Sequence, residues 1–153
     1  MRRPPPIARF IAQPIALILI AATSGCTSDP QFTQHRSYPS QLSRLSPSTI
    51  QLFRADTRVT LTNTTAKNFG PSTIWLNQWY AHDIDGLGIG QTITLNLNSF
   101  KDEYGDAFRG GGFFATQAPD KIVLAELETH PTDQLAEAAP ALLPLIVVGQ
   151  REH

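Results

Sequence analysis

The chain has 153 residues, with 12 Lys plus Arg against 13 Asp plus Glu, and one cysteine. Its cations are scattered, so it lacks the clustered charge that phosphate neutralisation needs, which excludes electrostatic nucleic-acid binding. A single cysteine excludes an internal disulfide, and the length suits one domain held together by its own core.

The first predicted element is an address. Met1-Arg2-Arg3 and Arg9 make a basic start, and no acid occurs before Asp29. Ile15 to Ala22 is uninterruptedly apolar. Even extended back to Phe10, the run is shorter than the roughly 20 residues of a bilayer span. Thr23, Ser24 and Gly25 are small, and Cys26 follows. A basic start, a short apolar run and a small-residue cleavage site define a signal peptide over residues 1–25. Arg2-Arg3 also suggests twin-arginine export, which Pro4-Pro5-Pro6 suits poorly.

Ser24-Gly25-Cys26 resembles the lipobox of bacterial lipoproteins, with Thr23 where that family usually has Leu. The resemblance covers the first 26 residues only. It implies cleavage before Cys26 and a diacylglycerol on the Cys26 sulfur, which makes the membrane a partner. Thr27, rather than Asp, follows the cysteine. By the family's sorting rule this implies transfer to the outer membrane, facing the periplasm. Cysteine usage points the same way. A lone thiol is odd in an exported protein, and lipidation removes the oddity. The competing view is a cytoplasmic protein with a chance apolar N-terminus.

Removing 25 residues from 153 leaves a mature chain of 128. The leader takes three arginines, leaving 9 basic residues against 13 acidic ones, a net charge of about −4 at neutral pH. Residues 26–48 are rich in Ser, Pro, Gln and Thr, and predict a flexible tether. Residues 49–129 form the predicted domain, and 130–153 a separate C-terminal segment.

Within the domain, apolar residues alternate with polar ones, as in half-buried strands. In Thr49 to Phe53, Ile50 and Leu52 share a face. In Arg58 to Thr62, Val59 and Leu61 point inward, and Ala55-Asp56-Thr57 predicts the hairpin turn between these strands. Asn63 to Pro71 is a polar loop. Thr73 to Tyr80 predicts a third strand, and Gln91 to Leu97 a fourth with Ile93, Leu95 and Leu97 inward. Ser99 to Asp102 suits one helical turn, capped by Ser99 and ended by Gly105. Gly112 to Thr116 and Lys121 to Leu127 predict two more strands, the second central because both its faces are apolar. A short helix near Asp133 to Ala139 and a last strand at Leu145 to Val148 complete the chain. Short strands separated by turns predict an all-β fold, a small immunoglobulin-like or Greek-key β-sandwich.

Gly86-Leu87-Gly88-Ile89-Gly90 precedes a strand rather than a helix, so it is a turn and not a phosphate loop. Arg109-Gly110-Gly111-Gly112 likewise lacks a following helix, and suits a bulge or close backbone approach. His82, Asp83 and Asp85, with Asp102, Glu103 and Asp106, lack calcium-loop spacing and read as solvated loop acids. His35, His82, His130 and His153 share no zinc-ligand spacing. No metal and no cofactor is therefore expected.

One cluster suits ligand binding. On a continuous strand, Trp75, Asn77 and Trp79 face one way, opposite Ile74 and Leu76. Exposed, they would form a platform for a sugar ring or a peptide. The alternative, favoured because aromatics bury large areas, is that this face is covered. The expected function is that of a lipid-anchored cell-envelope protein that binds or assembles without catalysis, with an envelope protein or glycan as partner. The competing class is a small envelope hydrolase built on His82 and nearby acids.

Overall fold

The structure, a computed structural model, describes residues 36–130 and 139–149. The leader, Cys26, nearly all of the expected helix near 133–139, and the last four residues lie outside this range.

The chain is all-β. Its strands are β1 (Ser43–Arg44), β2 (Gln51–Ala55), β3 (Arg58–Thr62), β4 (Ser72–Leu76), β5 (Tyr80–Ile84), β6 (Thr92–Asn96), β7 (Ala125–Thr129) and β8 (Ala141–Val148). They lie in the order β5-β4-β7-β8-β2-β3-β6, with β1 also pairing with β8. β8 joins the two halves. Its first part pairs antiparallel with β7, from Thr129↔Ala141 to Ala125↔Leu145. Its last three residues, Ile146 to Val148, pair parallel with β2. A strand that changes partners along its length is how two layers turn a corner without a break. Hairpins join β2 to β3 and β4 to β5, and four other connections, β1–β2, β3–β4, β5–β6 and β6–β7, cross between the halves.

One hydrophobic core draws on both halves. Ile50, Leu52, Val59 and Leu61 come from one side, Ile74, Leu76, Leu127, Leu143 and Leu145 from the other. Leu87, Leu97, Phe100, Phe108 and Ile122 fill it from the loops. At one end Arg54 points inward from β2 and closes the core. Its guanidinium donates to the carbonyls of Asp120, at 2.5 Å, and Gly110, at 3.1 Å. Burial lowers the Arg54 pKa, and the nearby Asp120 carboxylate opposes that shift.

The first hairpin is as expected: Ala55 pairs with Arg58, and Asp56 takes a φ of 50° in the turn. The predicted third strand is instead a hairpin. β4 stops at Leu76, and Asn77 and Gln78 both have positive φ, 55° and 60°. The Trp79 amide returns to the Leu76 carbonyl at 3.0 Å. Two successive left-handed residues make the mirror-image turn that matches strand twist. β5 then runs back along β4, a strand the sequence pattern did not mark.

Other boundaries move for local reasons. Gly112 to Thr116 forms turns, not a strand. Gly111 and Gly112 have φ of 85° and 124°, outside the extended range, and leave Phe113 and Phe114 exposed. Ladder pairing in the Lys121 to Leu127 segment begins only at Ala125, because the Asn77 side chain takes the amides of Val123 and Leu124. β7 is central, between β4 and β8. The helical turn lies two residues early, at Leu97–Ser99, and is capped by Asn96 rather than Ser99. The stretch read as a tether is docked from residue 36 onward. β1 pairs with β8, and the Leu45 and Ser48 amides donate to the Leu142 and Pro144 carbonyls.

Candidate functional site

β4 is buried along its whole length, so its outer face is covered as well as its inner one. The cover is an N-terminal arm, residues 36–45. Tyr38 packs edge-on against Trp75, with ring centroids 5.4 Å apart. Trp75 is 1% exposed and its indole N–H donates to Glu128 at 2.7 Å. Glu126, buried beside it on β7, accepts from Tyr38 at 2.7 Å and from Arg44 at 2.9 Å. Burial raises the Tyr38 pKa, and the hydrogen bond to Glu126 raises it further, so the phenol remains a donor. Buried carboxylates require such partners. The arm therefore holds the outer face by charge as well as by aromatic packing.

Trp75, Asn77 and Trp79 do not form a common platform. The turn after Leu76 separates them. Trp75 lies under the arm. Asn77 is occupied structurally, its side chain bonded to Lys121 O, Val123 N and Leu124 N. Trp79 alone remains open, 49% exposed.

Trp79 lines a shallow cleft of about 230 Å³ between the β4–β5 turn and the arm, with Arg36, Ser37, Tyr38, Gln78 and Glu103. Its indole N–H points to Asp102 Oδ2 at 3.2 Å, which fixes the ring plane. Asp102 is itself buried, and takes the Tyr104 and Asp106 amides at 2.9 and 2.8 Å. Burial pushes the Asp102 pKa up, but the hydrogen bonds from Asp106, Tyr104, Trp79 and Gly105 outweigh it and the net shift is downward. The ring is thus held by a charged acceptor. On the rim, Arg36 donates to Thr73 at 2.8 Å and Ser37 to Glu103 at 2.5 Å. One aromatic face ringed by polar groups suits a ligand that is apolar on one side and hydroxylated at its edge. The volume suits one sugar ring rather than a larger molecule.

Arg36, Gln78 and Glu103 were not marked as site residues by sequence pattern, nor were Tyr38, Arg44, Glu126 and Glu128 as a network. A signal existed for the last two. Two glutamates alternate with Ala125 and Leu127 on a central strand, and such acids demand partners.

His82 sits half-buried on β5. Its Nδ1 lies 3.3 Å from the Ser99 carbonyl and its ring packs at a tilt against Phe100, with centroids 5.1 Å apart. Its neighbour Asp83 instead accepts from Thr73 at 2.6 Å, and Asp102 serves Trp79. Among the described residues no carboxylate is bonded to His82, so no His–acid pair is assembled there. Comparisons with known proteins return no matching family model, curated protein or solved structure.

Proposed function

We propose that this chain is a lipid-anchored protein of the bacterial cell envelope, held at the outer membrane by Cys26 and facing the periplasm, which binds envelope glycan without catalysis at the Trp79 cleft. The leader and its cysteine support the anchor. The half-exposed, Asp102-oriented Trp79 face carries the binding site. Docking of the arm adds a constraint on reach. Ten peptide units separate Cys26 from Arg36, and at full extension they span at most about 36 Å. An anchored domain therefore works close to its membrane.

Soluble, uncrosslinked peptidoglycan strands titrated into the protein should perturb tryptophan fluorescence and give a measurable Kd. Trp79→Ala should weaken that binding about thirtyfold, the effect of losing a contact of about 2 kcal/mol at a binding hot spot. Gln78→Ala, at the rim, should weaken it less. Equal affinity in Trp79→Ala and the parent would refute this site, and absence of any binding would refute the glycan.

A further inference from the structure

The two outer strands of the sheet are treated differently. At β5, Ala81 exchanges two main-chain hydrogen bonds with Lys101, at 2.8 and 3.0 Å, and Arg36 sits beside Asp83. That edge is covered at Ala81. At β6, among the described residues, no main-chain bond arrives from the outer side. Nor does its sequence, Thr92-Ile93-Thr94-Leu95-Asn96, carry the Lys, Pro or bulge with which exposed edges are usually blunted.

The direction of its free groups follows from its neighbours. The Leu97 amide donates to Thr57 O, and Gln91 O accepts from the Asn63 amide, both toward β3. Strand geometry alternates, so odd-numbered residues turn their main-chain groups to β3 and Thr92, Thr94 and Asn96 turn theirs outward. The side chains agree. Thr60–Thr94 and Thr62–Thr92 are directly opposed pairs with hydroxyls 2.9 and 2.8 Å apart, as the close spacing of non-hydrogen-bonded pairs allows.

We propose that β6 pairs antiparallel with β6 of a second copy of this chain, about a two-fold axis at Thr94, so that two sheets become one. The strand is complementary to itself in this register. Thr94 meets Thr94 of the second copy and exchanges two main-chain bonds with it. Thr92 meets Asn96, whose carbonyl already takes the Ser99 hydroxyl at 2.6 Å and keeps a second lone pair. On the inner face Ile93 meets Leu95. Both are only partly buried and pack against the core, and the second copy covers them. None of the five residues is charged, so the two-fold axis opposes no like charges.

Thr94→Cys in the full chain, oxidised mildly in the cells that produce it, tests the pairing. Opposed Thr94 Cα atoms would lie about 5.5 Å apart, within disulfide reach. Most of the chain should run as a covalent dimer. Thr60→Cys, one strand further in on each side, places its Cα atoms about 14 Å apart and should stay monomeric. The parent chain controls for any cross-link through Cys26. Cross-linking of Thr94→Cys no greater than that of Thr60→Cys overturns the proposal. Thr94→Asp sets two carboxylates against each other, and should convert a dimer mass to a monomer mass in sedimentation with an unchanged far-UV spectrum. A parent that sediments as a monomer, or a folded Thr94→Asp that remains a dimer, also overturns it.

Discussion

Trp75→Ala is expected to lower the unfolding free energy by about 3–5 kcal/mol, whereas Trp79→Ala should cost less than about 1 kcal/mol. The two tryptophans are four residues apart and their environments are opposite. Trp75 is enclosed between β7 and Tyr38, and its indole N–H is a donor to the buried Glu128. Truncation opens a cavity and also leaves that carboxylate short of a partner, two penalties of the kind that dominate severe mutants. Trp79 has half its surface in solvent, so its loss removes little packing. In urea, with a slope of about 1–3 kcal/mol per M, the Trp75 variant should unfold at least about 1 M earlier. Equal midpoints for the two variants would show that the arm does not cover β4.

Deleting the arm should be at least as damaging. A chain that begins at Ser48 retains β2 to β8 but loses Tyr38, Arg44 and β1. It exposes Trp75 and strips Glu126 of both its hydrogen-bond donors. The lost packing over Trp75, the two charge-assisted hydrogen bonds to Glu126 and the β1 pairing are together worth on the order of 5 kcal/mol, a large share of a domain's whole stability. The chain that begins at Thr27 should unfold cooperatively, while the one from Ser48 should be partly unfolded or strongly destabilised at room temperature. Superimposable denaturation curves would show that residues 36–47 are only a tether.

Much of the fold was legible. Alternation located β2, β3 and β6 and their inward residues, because each has one buried and one solvated face. β4, buried on both faces, and β5, half-buried at most positions, carry no such contrast. β4 and the turn after it therefore read as one strand and β5 went unmarked, and the Asn77-Gln78 turn lacked the glycine that usually announces a mirror-image turn. The docking of residues 36–45 was not legible because composition records only that Ser, Pro and Gln are frequent between residues 26 and 48. Tyr38 and Arg44, the two residues that fasten it, are single positions whose partners, Glu126 and Trp75, lie far along the chain. Of the three residues marked from the sequence, only Trp79 is left exposed by the fold, with Trp75 buried and Asn77 occupied structurally. Arg36, Gln78 and Glu103 come from three separate segments, and only the folded chain brings them to one cleft.

The proposed anchor on Cys26 would set where all of this operates, and intact-mass and peptide mass spectrometry of the protein isolated from bacterial membranes test it most directly. The expected N-terminal peptide begins at Cys26 and carries the mass of a diacylglycerol on sulfur, with residues 1–25 absent. Recovery of a chain that begins at Met1 with a free Cys26 thiol would contradict it.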